Sequence, residues 1–167
     1  MKKLVLVLVV LSLASCQCKK ASVQATAATL SSECPKDGTC KIEIIQNKRM
    51  LVKQDEFGSL FYTLEENSSK NVVKYVYNRT VKGDIQDANY REEVVFELDN
   101  NNKTTNAVDA SLQNHQLLFG RFCFCRGQTG YYKINQGNLS VNNNKIELNF
   151  KTDQVPQIIK KVAFDLK

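Results

Sequence analysis

NKIELNF, residues Asn144 to Phe150, places Ile146, Leu148 and Phe150 on one side of an extended chain and Lys145, Glu147 and Asn149 on the other. Side chains of a strand repeat every second residue, so this alternation reads as a half-buried β-strand. KVAFDLK, Lys161 to Lys167, repeats the device with Val162, Phe164 and Leu166 against Lys161, Asp165 and Lys167. The same period predicts further strands near 41–46, 49–54, 59–64, 71–78, 90–98, 117–125 and 129–135. Short polar breaks separate them: Asn47-Lys48, DEFG at 55–58, ENSSK at 66–70, DNNNKTTN at 99–106 and NQGN at 135–138. Breaks this short join antiparallel neighbours, because a parallel pair needs a crossover of about a dozen residues or more.

Only Ala107 to Phe119 offers a helix, with Val108, Leu112 and Phe119 roughly on one side and Gly120 as a stop; it can equally extend the next strand. The expected fold is all-β, an antiparallel meander that closes into a small barrel or folds over as a sandwich, with at most one short helix near 107–119.

The start of the chain, MKKLVLVLVVLSLASC, sets two lysines before an apolar stretch from Leu4 to Leu13 and then the small residues Ala14 and Ser15, the build of a secretory signal peptide. The stretch is shorter than the ~20 residues a membrane-spanning helix needs. Leu13-Ala14-Ser15-Cys16 resembles the lipobox of bacterial lipoproteins. The resemblance implies cleavage before Cys16, a diacylglyceryl thioether on its sulfur and a further acyl chain, such as palmitate, on its amine. Several acyl chains hold at a membrane where one binds only marginally. Gln17 stands where lipoproteins retained in the inner membrane usually carry Asp, which favours the outer membrane of a bacterial envelope. The Lys- and Asn-rich style and FGRFCFCRGQTGYYKI resemble small lipoproteins of the Bacteroidota, a likeness that implies no activity. In outline the chain is also similar to lipocalin-like lipoproteins, without a lipocalin motif.

Three segments follow: a signal at 1–15, a lipidated flexible tether at 16–33, rich in Ala, Ser and Thr, and one β domain at 34–167. Lys2 and Lys3 leave with the signal, so 21 of the 23 basic side chains remain against 17 acidic ones, a net +4. These charges are interspersed with Asn and Gln rather than gathered into a basic stripe, which argues against nucleic-acid binding.

Export decides how the cysteines read, since disulfides persist outside the cytoplasm while free thiol pairs seldom do. Cys18 sits on the tether and is the odd one out; Cys34, Cys40, Cys123 and Cys125 are the disulfide candidates. On an extended strand Cys123 and Cys125 share a face with Cβ atoms roughly 6 to 7 Å apart, beyond the reach of a disulfide at about 3.5 to 4.5 Å. They are therefore expected to pair with Cys34 and Cys40, in the turn-rich CPKDGTC, rather than with each other. Such a link closes a loop of nearly ninety residues, about 4 kcal/mol in the chain-entropy model. A local Cys34–Cys40 pairing is the other option, and it requires the Cys123 strand to break. A competing reading gathers Cys34, Cys40, Cys123 and Cys125 around copper or zinc. Against it, C-x5-C and C-x-C are not knuckle spacings, and the redox signature C-x-x-C at a helix start is absent.

His115 is the sole histidine, and with no G-x-S-x-G turn or metal-ligand spacing around it, it reads as a surface or helix-end residue. Glu65-Glu66 and Glu92-Glu93 fall at strand ends, where solvated charge is the default; glycosidase chemistry needs two carboxylates about 5 to 9 Å apart across a cleft. No glycine arrangement matches a phosphate cradle. No catalytic constellation and no cofactor is expected. Tyr75, Tyr77, Arg121, Arg126, Tyr131 and Tyr132 are the ligand-binding candidates, able to line a pocket for an apolar or anionic ligand if the sheet closes into a barrel. The plainer reading puts alternating aromatic residues in the core. The function expected is therefore an envelope-tethered β module binding a small ligand or an envelope protein, with a thiol or metal protein as the alternative.

Overall fold

The computed structural model describes residues 28–81, 83, 88–101 and 104–167. The expected signal, Cys16, Cys18 and the first part of the tether lie outside the described residues. The strands are β1 (Ala28–Leu30), β2 (Gly38–Ile45), β3 (Lys48–Gln54), β4 (Leu60–Glu66), β5 (Lys70–Arg79) and β6 (Tyr90–Asp99). They continue with β7 (Thr105–Val108), β8 (Leu118–Cys123), β9 (Gly130–Lys133), β10 (Gln136–Asn142), β11 (Lys145–Lys151) and β12 (Lys161–Leu166). Two antiparallel sheets result, a five-stranded one in the order β1-β12-β11-β10-β7 and a seven-stranded one in the order β2-β5-β6-β8-β9-β4-β3. The chain is all-β, as its alternation predicts, and of the two closures it adopts the sandwich.

The alternating residues meet between the sheets. Leu139, Ile146, Leu148, Phe150, Val162 and Phe164 from the five-stranded sheet pack on Val73, Tyr75, Val94, Phe96 and Phe119 from the other. Each such side chain contributes about 1.5–3 kcal/mol when fully buried. Gly137 on β10, at φ +134°, permits the tight crossing with β11: a Cβ there would lie 2.1 Å from the Asn149 carbonyl oxygen.

Several details depart from the sequence reading. The end of the expected tether is not free: Ala28 pairs with Leu166 and Leu30 with Phe164, and both Ala28 and Leu30 pack on the core. The 107–119 stretch splits into the end of β7, a 3₁₀ helix at Asp109–His115 and the start of β8, because Leu112, Leu117 and Phe119 must all reach the same core. His115 does end that helix, but it is buried, its Nδ1 2.9 Å from the Glu97 carbonyl oxygen.

The meander also breaks at its first hairpin. β2 and β3 are joined by Gln46-Asn47, yet they occupy opposite ends of the seven-stranded order. The sheet curls, and the β3–β4 hairpin covers its outer face. Met50, Val52, Leu60 and Tyr62 form a second core there with Val72, Val95 and Leu118. The Met50 N–H donates to the buried Glu97 carboxylate at 2.5 Å, a side-chain acceptor standing in for a strand partner. Among the described residues no helix is long and apolar enough to cross a membrane.

Candidate functional site

β8 carries the two cysteines out of the sheet. Cys123 is still paired, opposite Tyr90 of β6, but the chain bends at Phe124 and turns back through Gly127, whose φ is +69°. The Gln128 N–H closes that turn on the Cys125 carbonyl, and Thr129 Oγ1 donates to the Arg121 carbonyl. Both returns demand a glycine: the positive φ at Gly127 and at Gly130 is costly for any residue with a Cβ.

This bend overturns the expected cysteine connectivity. Cys123 and Cys125 are bridged to each other, with Cα atoms 5.2 Å apart, and Cys34 is bridged to Cys40 at 5.8 Å. Extended chain through residue 125 would keep these two sulfurs apart, but β8 stops at Cys123 and the break permits both local bridges. The four sulfurs also fail to converge as a metal site. Cys40 faces Tyr77 on β5 and Cys123 faces Tyr90 on β6, so β5 and β6 separate the strands that carry them. Among the described residues, no three His, Cys, Asp or Glu side chains are grouped to hold a metal.

The two bridges differ in setting. Cys34–Cys40 pins a turn against the core: Tyr75 Oη lies 3.0 Å from Cys40 Sγ, and Asp37 within the turn accepts from Tyr77 Oη at 2.8 Å and Arg79 Nε at 3.2 Å. The Tyr77 hydroxyl, with Arg79 beside it, holds the Asp37 carboxyl below its ordinary range. Cys123–Cys125 encloses one residue, Phe124, whose side chain is 82 % exposed. In the chain-entropy model a loop this small contributes about 1.6 kcal/mol, against about 2.4 for the Cys34 loop.

Around the cysteine hairpin the surface is grooved. On one side Cys123 and Phe124 border a groove of about 470 Å³ with Arg79, Tyr90, Arg91 and Phe122. The Tyr90 ring lies between guanidinium groups, Arg79 at 4.5 Å and Arg121 at 5.4 Å from its centroid, and Arg91 stacks 4.5 Å over Phe122. On the other side Phe124, Cys125 and Arg126 border a groove of about 440 Å³. It shares Gly127 and Thr129 with a third, of about 600 Å³, that opens where β4 and β9 touch through the single pair Leu60 and Tyr131. Phe57 stands beside that groove, 84 % exposed, at the tip of a turn in which Asp55 Oδ1 accepts from the Phe57 and Ser59 N–H groups. Two phenylalanines are thus presented to solvent on tightly tied turns.

The six ligand candidates do not form one pocket. Tyr75 and Tyr77 are fully buried in the core between the sheets, and Arg121 faces the same way, held by Gln128 Oε1 at 2.7 Å. Tyr131 faces the opposite side, with its hydroxyl on Glu93 Oε2 at 2.7 Å, and burial followed by that bond drives its pKa upward. Tyr132 packs on the inner core and borders the third groove together with Tyr131. Of the six, only Arg126 belongs to the exposed hairpin, and no carboxylate pairs with it among the described residues.

Of the acidic pairs, one is solvated as expected and the other is not. Glu65 and Glu66 are solvated, facing Arg49 and Lys48. Glu92 and Glu93 are buried, 0 % and 2 % exposed, and as strand neighbours they point to opposite faces, so they cannot act together across a cleft. Glu92 accepts from Tyr90 Oη at 2.5 Å and from the Ile158 and Ile159 N–H groups at 2.8 and 2.7 Å. Glu93 is held by Tyr131, Lys74 and Arg91. Both are structural anchors.

Sequence reasoning missed Phe57 and Phe124. The signal was an aromatic residue inside a polar turn, DEFG, and another between two cysteines, FCFC. No family model matches the chain, and no curated protein or solved structure matches it.

Proposed function

We propose that this chain is an envelope lipoprotein, held at a membrane, by preference the outer one, through acyl chains on Cys16, and that its sandwich is a non-enzymatic module docking a protein partner at the cysteine hairpin. Phe124 carries the reading. Among the described aromatic residues only Phe124 and Phe57 are mostly exposed, Phe124 at 82 % on the tip of a disulfide-closed turn and Phe57 at 84 % on the neighbouring turn. An aromatic side chain fixed in advance loses little entropy on binding and is the usual hot-spot anchor. Arg126 beside it, without a carboxylate partner among the described residues, matches a partner pocket that is apolar at its centre and acidic at its rim. The filled interior supports a protein rather than a small molecule as the occupant, since Tyr75, Tyr77 and Phe119 take the space a barrel ligand would use.

The test places a photo-cross-linking phenylalanine analogue at 124, at 57 and, as a control, at Lys145 at the start of β11, in intact cells. A discrete adduct of one mass from 124 and 57, absent from 145 and abolished by Arg126→Glu, supports the proposal. Identical patterns from all three positions overturn it. For the anchor, Cys16→Ser abolishes incorporation of labelled fatty acid and releases the chain from membranes; retention of label defeats the lipoprotein reading.

A further inference from the structure

We infer that Cys123–Cys125 is a thiol–disulfide exchange site, able to pass its disulfide to a dithiol client. The inference goes beyond the docking reading and does not need it, because exchange with a short dithiol peptide requires no partner.

Three observations point this way. The bridge spans a sequence separation of 2, so it constrains the unfolded chain less than any wider bridge does. Cys123 and Cys125 are half-buried residues that each border an open groove, Cys123 on the side of Arg79 and Arg91 and Cys125 on the side of Phe124 and Thr129, whereas neither Cys34 nor Cys40 lines these grooves. Arg79 and Arg91, each also paired with a carboxylate, stand on the Cys123 side and Arg126 beside Cys125, and guanidinium groups near a cysteine favour thiolate over thiol. Stabilising the reduced form in this way makes a pair oxidising, and exposed bridges are the labile ones. Cys34–Cys40, in contact with the Tyr75 hydroxyl and packed on the core, is the built-in comparison.

The geometry assigns the steps. A client thiolate enters the groove beside Arg126 and attacks Cys125 Sγ. The Cys123–Cys125 bond breaks, a client–Cys125 bond forms, and the electron pair leaves on Cys123 Sγ, on the side of Arg79 and Arg91. The client's second thiolate then attacks its own bridged sulfur and expels Cys125 as thiolate. The client departs as a disulfide, two electrons have moved to the chain, and the two protons released by the client thiols are taken up by Cys123 and Cys125.

The experiment uses the purified full chain carrying Cys18→Ser, equilibrated in graded ratios of reduced to oxidised glutathione, then alkylated and mapped by mass spectrometry. Cys123–Cys125 should be half-reduced at a ratio about tenfold lower than Cys34–Cys40 requires. Mixed with a reduced two-cysteine peptide, each chain should yield one peptide disulfide, and a one-cysteine peptide, which cannot resolve its own bond, should after acid quench and alkylation be found as an adduct on Cys125. Cys123→Ser/Cys125→Ser should abolish transfer, while Cys34→Ser/Cys40→Ser should leave it intact. Reduction of both bridges at one ratio, or transfer that depends on Cys34 and Cys40 instead, overturns the inference.

Discussion

Replacing Glu92 tests whether one buried carboxylate holds the loop between β11 and β12 on the seven-stranded sheet. Its two oxygens accept the Ile158 and Ile159 amides at 2.8 and 2.7 Å and the Tyr90 hydroxyl at 2.5 Å, with the side chain fully buried. In Glu92→Ala both amides lose their acceptor in a dry site, at about 1–3 kcal/mol each, while the half-exposed Tyr90 hydroxyl can turn to water. The sum is about 4 kcal/mol, out of a total of about 5–15 for a domain of this kind. Glu92→Gln keeps one accepting oxygen and turns an NH₂ toward a donor, so about half that loss is expected. With a urea m-value of about 1.5 kcal/mol/M, alanine lowers the midpoint by about 2.7 M and glutamine by about 1.3 M. Equilibrium unfolding followed by circular dichroism reads this directly. If Glu92→Ala unfolds within ~1 kcal/mol of the parent, the amides find other acceptors and the anchoring argument is wrong.

Other expectations follow from single contacts. Burial, then the neighbouring Glu92 charge, pushes Tyr75 up to about 12, so the folded state holds this proton more tightly than the unfolded chain, whose tyrosines titrate near 10. Stability from this group is complete below about pH 10 and is lost as pH rises toward 12; Tyr75→Phe should flatten that part of the pH profile, and identical slopes from pH 9 to 12 would refute it. Gly137→Ala puts a Cβ against the Asn149 carbonyl at a φ that L-residues avoid, and should lower stability by about 2 kcal/mol or more in the same unfolding assay. Removing Cys34 and Cys40 should lower the melting temperature more than removing Cys123 and Cys125, by calorimetry, since the wider loop loses more chain entropy and its turn carries Asp37, which Tyr77 and Arg79 hold. Equal losses would count against that assignment.

The strands that carried clean alternation, β11 and β12, were legible because each buries one face in the common core. The same rule held a sign that was passed over: in YREEVVFELD, Val94, Phe96 and Leu98 fix the inner face, and Glu92 shares it, so this glutamate had to be buried or the strand had to end sooner. Glu97 was hidden for a different reason. Its face is covered by the β3–β4 hairpin, and no local pattern reports that a sheet will curl over itself. The three-residue β1 and four-residue β7 are too short to establish a period, so they disappeared into the tether and the candidate helix. Cysteine pairing turned on a single bend at Phe124, which strand propensity extended past its true end. For the exposed hairpin, residue identity was available but exposure was not: Phe124 continues the aromatic alternation of β8 and looks like core until the chain leaves the sheet.

The pairing of Ala28 with Leu166 has a bearing on when this molecule can finish folding. A chain emerging from a ribosome or threading a translocation pore releases residue 28 long before residue 166, and through that interval β1 has no neighbour to bond. The edge of the five-stranded sheet is therefore completed only once β12 is free to pair, so the first strand of the sheet to be made is the last to be seated.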